Sequence, residues 1–135
     1  GELQDRLIDG EPLYCRTADL VSEWGRDLIG EYGYSRVGAV VAATYKEQGE
    51  ALRKRLPHTF FLVPGYGAQG GTGEDLRGYF DRRGLGAIVN SSRGITAAYQ
   101  NEASQKKDPE GKHFAEAARE AVLRMREDLR RASAR

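Results

Sequence analysis

Apolar residues recur at helical spacing near the start of the chain. The pattern begins at about Pro12 and stops where Gly30 and Gly33 interrupt it. Apolar positions three or four residues apart share one face of an α-helix, so the segment is predicted to be an amphipathic helix. Its predicted apolar positions are Leu13, Leu20, Val21, Trp24 and Leu28.

Three short apolar runs farther along the chain predict β-strands. They cover residues 37–43, 60–63 and 87–90, and Pro64 with Gly65 stops the second. The first run does not alternate apolar with polar residues, which is typical of a strand covered on both faces in a parallel sheet. We therefore expect the three strands to pair in parallel and in sequential order, with helices on the outer side.

A helix is predicted between the first two strands, over residues 45–56. Pro57 follows directly, and a proline cannot continue a helix because it lacks a backbone N–H. The positions predicted to face outward are Glu47, Glu50, Arg53 and Lys54.

Two further helices are predicted after the second strand. Thr72 and Asp75 have the spacing of a capping box, which marks the start of a short helix. A longer helix is expected from about Lys112, with a charged outer face. The polar stretch between Gln100 and Gly111 has no periodicity and is predicted to be a mobile loop. The predicted inward positions of the two helices are Leu76, Tyr79, Phe80, Phe114, Ala118, Ala121, Val122, Met125 and Leu129.

The alternation of strands and helices predicts an α/β fold made of right-handed βαβ units. Two architectures satisfy it, an open doubly wound sheet and part of a barrel. A complete (β/α)₈ barrel needs roughly 250 residues, so a barrel would be represented here by only part of its units.

Composition and net charge limit the kinds of molecule that the chain is expected to bind. The chain has 135 residues, 39% of them apolar, with 21 Lys and Arg against 20 Asp and Glu. One domain over residues 1–135 is expected, and a net charge of +1 gives no field to attract nucleic acid or a membrane. A single cysteine, Cys15, and the lack of a signal-peptide pattern favour a reducing cytoplasm.

The loop after the second strand is rich in glycine. Backbone amides of such a loop can converge on an anion, so residues 64–72 are a candidate phosphate site. Gly65, Gly67 and Gly70 also match the G-x-G-x-x-G pattern of dinucleotide-binding domains. That fold needs an acidic residue about 20 positions later, and Asn90 ends the next strand instead. Nucleotide binding and a tight structural turn both remain open.

A second polar segment, residues 90–95, follows the third strand. Ser91 and Ser92 could cap a short helix that begins near Gly94, with Arg93 projecting at its start. Barrel enzymes often bind phosphate between the loops after their last two strands and a short extra helix. By itself Arg93 could be an ordinary surface residue, but its position one strand beyond a glycine-rich loop favours a phosphate ligand.

These two segments, FLVPGYGAQGG at 61–71 and GAIVNSSRGI at 86–95, resemble the end of the long-form bacterial orotidine 5′-phosphate decarboxylases. Residues 38–44 resemble the sixth strand of that family, and residues 3–5 the segment after its fifth. The resemblance implies the C-terminal portion, about three βα units, of a TIM (β/α)₈ barrel. It also implies conversion of orotidine 5′-monophosphate to uridine 5′-monophosphate and carbon dioxide, in pyrimidine biosynthesis, with no metal or organic cofactor.

The resemblance assigns the substrate phosphate to Gln69 and Arg93. It gives Pro64, Gly65, Gly67, Gly70 and Ser92 to the loop backbone around that phosphate. It also places Thr44 at the end of the sixth strand, lining the cavity. Ala42 departs from the glycine expected of the family, which suggests slightly tighter packing.

A larger departure is that the family's Asp-x-Lys-x-x-Asp motif is not found around any lysine of this sequence. The resemblance therefore implies no catalytic residue in this chain, a missing N-terminal half of the barrel and an isolated chain without activity. It also implies a homodimer.

Two other functions stay open beside this one. The chain could be a phosphate-binding or assembly module without catalysis, in which exposed strand edges and an apolar sheet face need a partner. A dinucleotide-binding domain is less favoured. His58 and His113 lack neighbours at metal-ligand spacing and are expected at the surface.

Overall fold

Strands and helices alternate along most of the chain, and the computed structural model describes residues 2–67 and 71–134. The α-helices are α1 (Leu13–Gly25), α2 (Lys46–Arg55), α3 (Ser92–Thr96), α4 (Glu102–Lys107) and α5 (Phe114–Ser133). The strands are β1 (Leu7–Ile8), β2 (Glu11–Pro12), β3 (Ala39–Val40), β4 (Phe61–Pro64) and β5 (Ala87–Asn90). Short 3₁₀ helices cover Arg26–Leu28, Glu74–Tyr79 and Ala98–Gln100.

The central feature is a parallel sheet in the order β3-β4-β5. Ala39 pairs with Phe61, which in turn pairs with Ala87, so the three strands run in register. The predicted strands, their parallel direction and their sequential order are confirmed. Strand β3 is shorter than predicted, but the amides of Val41 and Ala43 still donate to β4 carbonyls at 2.9 Å.

The two faces of this sheet differ. Phe61 and Val63 of β4 are fully buried beneath the helices. On the opposite face the paired residues Val40, Leu62 and Ile88 are 69%, 43% and 58% exposed. The expectation of cover on both faces is therefore wrong for the described residues, because the described helices pack on one side.

The core lies between the sheet and the segment Glu74–Tyr79. Leu76 and Tyr79 are completely buried, as the sequence predicted. The Tyr79 hydroxyl donates to the carbonyls of Ala42 at 2.9 Å and Tyr45 at 3.1 Å, which ties this segment to the residues that follow β3. The predicted capping box also forms, since the Thr72 amide donates to the Asp75 carboxylate at 3.0 Å. The helix it begins is 3₁₀, not α.

Arg53 of α2 does not face outward as predicted, because it is only 7% exposed. Its guanidinium lies 4.0 Å from the centre of the Phe61 ring. It donates to the carbonyls of Thr59 at 2.7 Å and Gly86 at 3.1 Å, and also to that of Leu56. These carbonyls compensate the desolvation of the cation, which explains how a charged residue occupies the core side of α2.

The segment between Gln100 and Gly111 is not the predicted loop, because it contains α4. The Asn101 side chain caps this helix by accepting the Ser104 amide at 2.8 Å. Lys106 and Glu102 pair across one turn at 2.6 Å. These local contacts explain a short helix without an apolar stripe.

Helices α1 and α5 only partly follow their predicted faces. Trp24 and Phe114, predicted as apolar contacts, are 61% and 60% exposed. Leu20, Leu28 and Val122 are also exposed. In contrast, Ala18 of α1 and Ala132 of α5 are buried, and Leu129 of α5, a predicted inward position, packs against the core.

The antiparallel hairpin β1–β2 was not predicted from the sequence. Leu7 pairs with Pro12, and Asp9 and Gly10 form the turn with positive φ angles of 51° and 82°. This hairpin leads directly into α1.

Candidate functional site

The carboxyl ends of β4 and β5 lie side by side. Pro64 and Asn90, their last residues, are paired in the sheet. Just beyond them, the Ser91 hydroxyl donates to the Tyr66 carbonyl at 3.1 Å, and Ser91 is buried. The described start of the glycine-rich loop and the segment after β5 therefore lie side by side.

The glycine-rich loop closes on itself at its base. Gly65 and Gly67 have positive φ angles of 104° and 74°, which residues with a side chain rarely adopt. The Gly67 amide donates to the Gly71 carbonyl at 2.8 Å. A Cβ at Gly71 would lie 3.0 Å from that of Ala43, so glycine lets the loop pack against the end of β3. Gln69 and Gly70, both predicted site residues, lie outside the described residues.

The segment after β5 forms α3, two residues earlier than predicted. Ser91 is its N-cap residue, but the hydroxyl bonds Tyr66 and makes no capping bond to the helix, so the predicted capping role of Ser91 is wrong. Ser92 begins the helix and donates to the Asn90 side chain at 3.4 Å. Arg93 follows in the first turn and is exposed. Within residues 2–67 and 71–134 it forms no ion pair with a carboxylate.

Asp128 of α5 connects the two ends of the glycine-rich loop. One of its carboxylate oxygens accepts the Tyr66 hydroxyl at 2.7 Å and the Gly73 amide at 2.7 Å. Burial raises the pKa of Tyr66 to about 12, and the bond to Asp128 contributes to the same shift. The phenol therefore stays protonated and remains a hydrogen-bond donor throughout the physiological pH range.

The residues that follow β3 complete this edge of the sheet. Thr44, predicted to line the cavity, is exposed there. Ala42 is also exposed, so the tighter packing expected of its methyl group is not observed. No group of three or more His, Cys, Asp or Glu side chains at metal-binding distance occurs in the described part of the chain. None of the helices in that part is both long and apolar enough to cross a membrane.

Comparison with known proteins identifies relatives of this chain. No protein-family model matches the chain. The orotidine 5′-phosphate decarboxylase of Rhodopirellula baltica is 45% identical over 130 residues. That of Clostridium botulinum strain Langeland is 46% identical over 123 residues. The chain belongs to the orotidine 5′-phosphate decarboxylase family.

The matches cover most of this chain but less than half of each relative. The Rhodopirellula match spans 96% of this chain and 43% of that decarboxylase. The Clostridium match spans 91% and 41%. The sequence resemblance is thereby confirmed for the portion of the family's length that the chain represents.

Solved structures share the fold of this chain. The Leishmania donovani UMP synthase is 28% identical with a TM-score of 0.57, over 90% of this chain and 24% of that one. The Plasmodium berghei orotidine 5′-monophosphate decarboxylase is 18% identical with a TM-score of 0.60. This match covers 96% of this chain and 36% of that one, and at this identity it shows the fold alone. The predicted fold class, an α/β portion of a TIM barrel, is confirmed.

Sequence reasoning missed Asp128 at this edge of the sheet. The charged side chains of the helix predicted from about Lys112 are expected on its outer face, and for Asp128 that expectation is wrong. One signal was available, because Asp128 lies three residues after Met125 and four before Ala132, on the half-buried side of α5. A carboxylate on that side needs donors, and Tyr66 and Gly73 supply them.

Proposed function

We propose that this chain supplies the phosphate-binding loops of an orotidine 5′-phosphate decarboxylase. The protein that contains it would convert orotidine 5′-monophosphate to uridine 5′-monophosphate and carbon dioxide, without a metal or organic cofactor. The observation that carries the proposal is the Ser91–Tyr66 hydrogen bond, 3.1 Å long, which joins the two loops at the carboxyl ends of adjacent parallel strands. Barrel enzymes bind phosphate at this place.

Arg93 is the proposed cationic ligand of the phosphate. It is exposed at the start of α3 and unpaired with any carboxylate in the described ranges, so its guanidinium is available to an anion. A planar guanidinium can donate two parallel hydrogen bonds to phosphate oxygens. Gln69 is proposed as a second ligand from the family resemblance, with Pro64, Gly65, Gly67, Gly70 and Ser92 shaping the backbone.

Phosphate contacts would contribute to decarboxylation from a distance. Loss of carbon dioxide leaves a carbanion on the pyrimidine ring, several bonds away from the phosphate. Binding energy gained at a remote group can align the reacting end and offset the cost of its distortion. The cation and proton donor at the ring would come from the family's Asp-x-Lys-x-x-Asp motif, which this sequence does not contain.

The remaining partners are proposed on the same basis. The family resemblance suggests a homodimer in the cytoplasm. The open sheet face at Val40, Leu62 and Ile88 would be covered by the rest of the barrel. A balanced charge of +1 supports no role in binding nucleic acid.

The test is to measure uridine 5′-monophosphate and uridine binding to the full-length protein and its Arg93→Ala variant. A charge-assisted hydrogen bond is worth about 1.5–3 kcal/mol, so the variant should bind the nucleotide about 10-fold to 100-fold more weakly. Uridine binding should not change. Arg126→Ala, on the exposed side of α5, is the matched control. Equal nucleotide affinity in Arg93→Ala and the unmodified protein would refute the assignment of Arg93.

A further inference from the structure

The two ends of the glycine-rich loop are close in space but are not joined by the sheet. Tyr66 lies just after β4, and Gly73 lies just before the 3₁₀ helix Glu74–Tyr79. The six residues between them, 67–72, include most of the loop. A loop of this length has many accessible conformations unless both of its ends are fixed.

Asp128 fixes both ends with a single carboxylate oxygen. The Tyr66 hydroxyl and the Gly73 amide each donate to Oδ2 at 2.7 Å. The fit at Gly73 is close, because a Cβ there would lie 2.7 Å from the Asp128 carbonyl and 2.8 Å from its carboxylate carbon. Loop and helix therefore meet at a place where glycine is required.

A third contact holds the same loop from the opposite side. The Tyr66 carbonyl accepts the Ser91 hydroxyl at 3.1 Å, while the Tyr66 side chain reaches Asp128. Tyr66 thus links the segment before Arg93 to helix α5. A shift of Asp128 would change the loop base and its contact with the Arg93 segment together.

We propose that Asp128 is a positioning residue for the phosphate site, which acts by holding Tyr66 and Gly73 at the two ends of the glycine-rich loop. The inference rests on the proposed function and extends it to a residue of the C-terminal helix that touches no substrate. Preorganising a loop lowers the entropy lost when a ligand orders it, so the effect should appear in phosphate affinity.

The experiment compares Asp128→Ala, Asp128→Asn and Tyr66→Phe in the full-length protein. Alanine removes both acceptor contacts, and it favours a helix more than aspartate does, so α5 itself is not weakened. Asparagine keeps an acceptor oxygen, whereas phenylalanine removes one of the two bonds and keeps the ring. Glu127→Ala is the matched control, since Glu127 is exposed and pairs with Arg131 on its own helix at 3.0 Å.

Two measurements are made on each variant. Titrations with uridine 5′-monophosphate and with uridine separate phosphate affinity from base affinity. Hydrogen exchange of the Gly67 and Gly73 amides reports loop order without any ligand. Asp128→Ala should weaken nucleotide binding about tenfold, Tyr66→Phe about threefold, and Asp128→Asn less than alanine. A variant that weakens nucleotide binding more should also show faster hydrogen exchange at both amides. Uridine binding should not change in any variant.

The outcomes distinguish this inference from the proposed function. If Arg93→Ala weakens nucleotide binding but Asp128→Ala and Tyr66→Phe do not, Asp128 has no positioning role and the proposed function stands. Equal losses for uridine and its monophosphate would mean a general structural effect and would overturn the inference. If the unmodified protein binds the monophosphate no better than uridine, the proposed function fails and this inference fails with it. Should Asp128→Ala not fold, Tyr66→Phe decides.

Discussion

Asp81 shows how single residues fix the end of the sheet opposite the candidate site. Its carboxylate accepts the Tyr34 hydroxyl at 2.6 Å and the amides of Arg83 and Leu85 at 2.8 and 2.9 Å. The Arg83 side chain adds a contact of 3.0 Å. One side chain therefore organises the turn into β5 and joins it to the segment before β3.

The pKa of Asp81 predicts how stability changes with pH. Partial burial raises the pKa, but the bonds from Tyr34, Leu85 and Arg83 outweigh it and lower the pKa to about 2. Because this value is below the ordinary one, ionised Asp81 stabilises the fold above about pH 4. That contribution should disappear as the pH falls from about 4 through 2.

Urea unfolding at several pH values tests this expectation with Asp81→Asn. At pH 7 the free energy of unfolding of the variant should be lower than that of the unmodified protein by at most about 2 kcal/mol. The loss is limited because solvent screens a side chain that is 21% exposed. The difference from the unmodified protein should shrink toward pH 2. Asp27→Asn, at an exposed position, is the control. A difference in the free energy of unfolding that is constant from pH 7 to pH 2 would contradict the assignment of this pH dependence to Asp81.

At the scale of elements, α2 approaches the segment Glu74–Tyr79 through glycine. A Cβ at Gly49 would overlap the Tyr79 ring, and one at Gly78 would overlap the Glu50 side chain. This close contact lets the Tyr79 hydroxyl reach the carbonyls of Ala42 and Tyr45. Helix packing and the end of β3 are therefore coupled.

Gly49→Ala should destabilise the protein although alanine is the better helix former. The gain in helix propensity is about 1 kcal/mol, whereas overpacking a core usually costs about 1–3 kcal/mol. We expect a net loss of up to about 2 kcal/mol in the free energy of unfolding. Gly30→Ala is the control, because its Cβ would meet only the Tyr34 carbonyl, at 3.7 Å. An increase in stability for Gly49→Ala would show that Tyr79 can move aside.

The elements could largely be predicted from the sequence, but several side-chain environments could not. Buried strands appear as apolar runs, and the order β3-β4-β5 follows from the short crossover connections. Arg53 escaped prediction because its partners are backbone carbonyls, which carry no sequence signal. Helix α4 is stabilised by a cap and an ion pair instead of an apolar stripe. Asp128 depends on a contact between residues 62 positions apart, which periodicity does not report.

At the scale of the whole molecule, the open side of the sheet distinguishes this chain from a finished barrel. Val40, Leu62 and Ile88 form a continuous exposed row across three paired strands. A cavity of about 490 Å³ also lies between α1 and β3, lined by residues that include Leu13, Val21 and Leu52. In a closed barrel the interior face is filled with side chains, so we expect further βα units to cover these surfaces.

The 135-residue chain alone should therefore show no measurable decarboxylation of orotidine 5′-monophosphate. Phosphate contacts align the substrate, but the carbanion needs a neighbouring cation and a proton donor. We expect neither from the described groups around Arg93. Adding the remaining portion of a full-length relative in trans should restore turnover if the two pieces dock. Leu62→Asp should then block restoration, because it buries a charge in the new interface, whereas Lys54→Asp, on the exposed side of α2, should not. Turnover by the isolated chain at the rate of the intact protein would show that its own residues perform the chemistry.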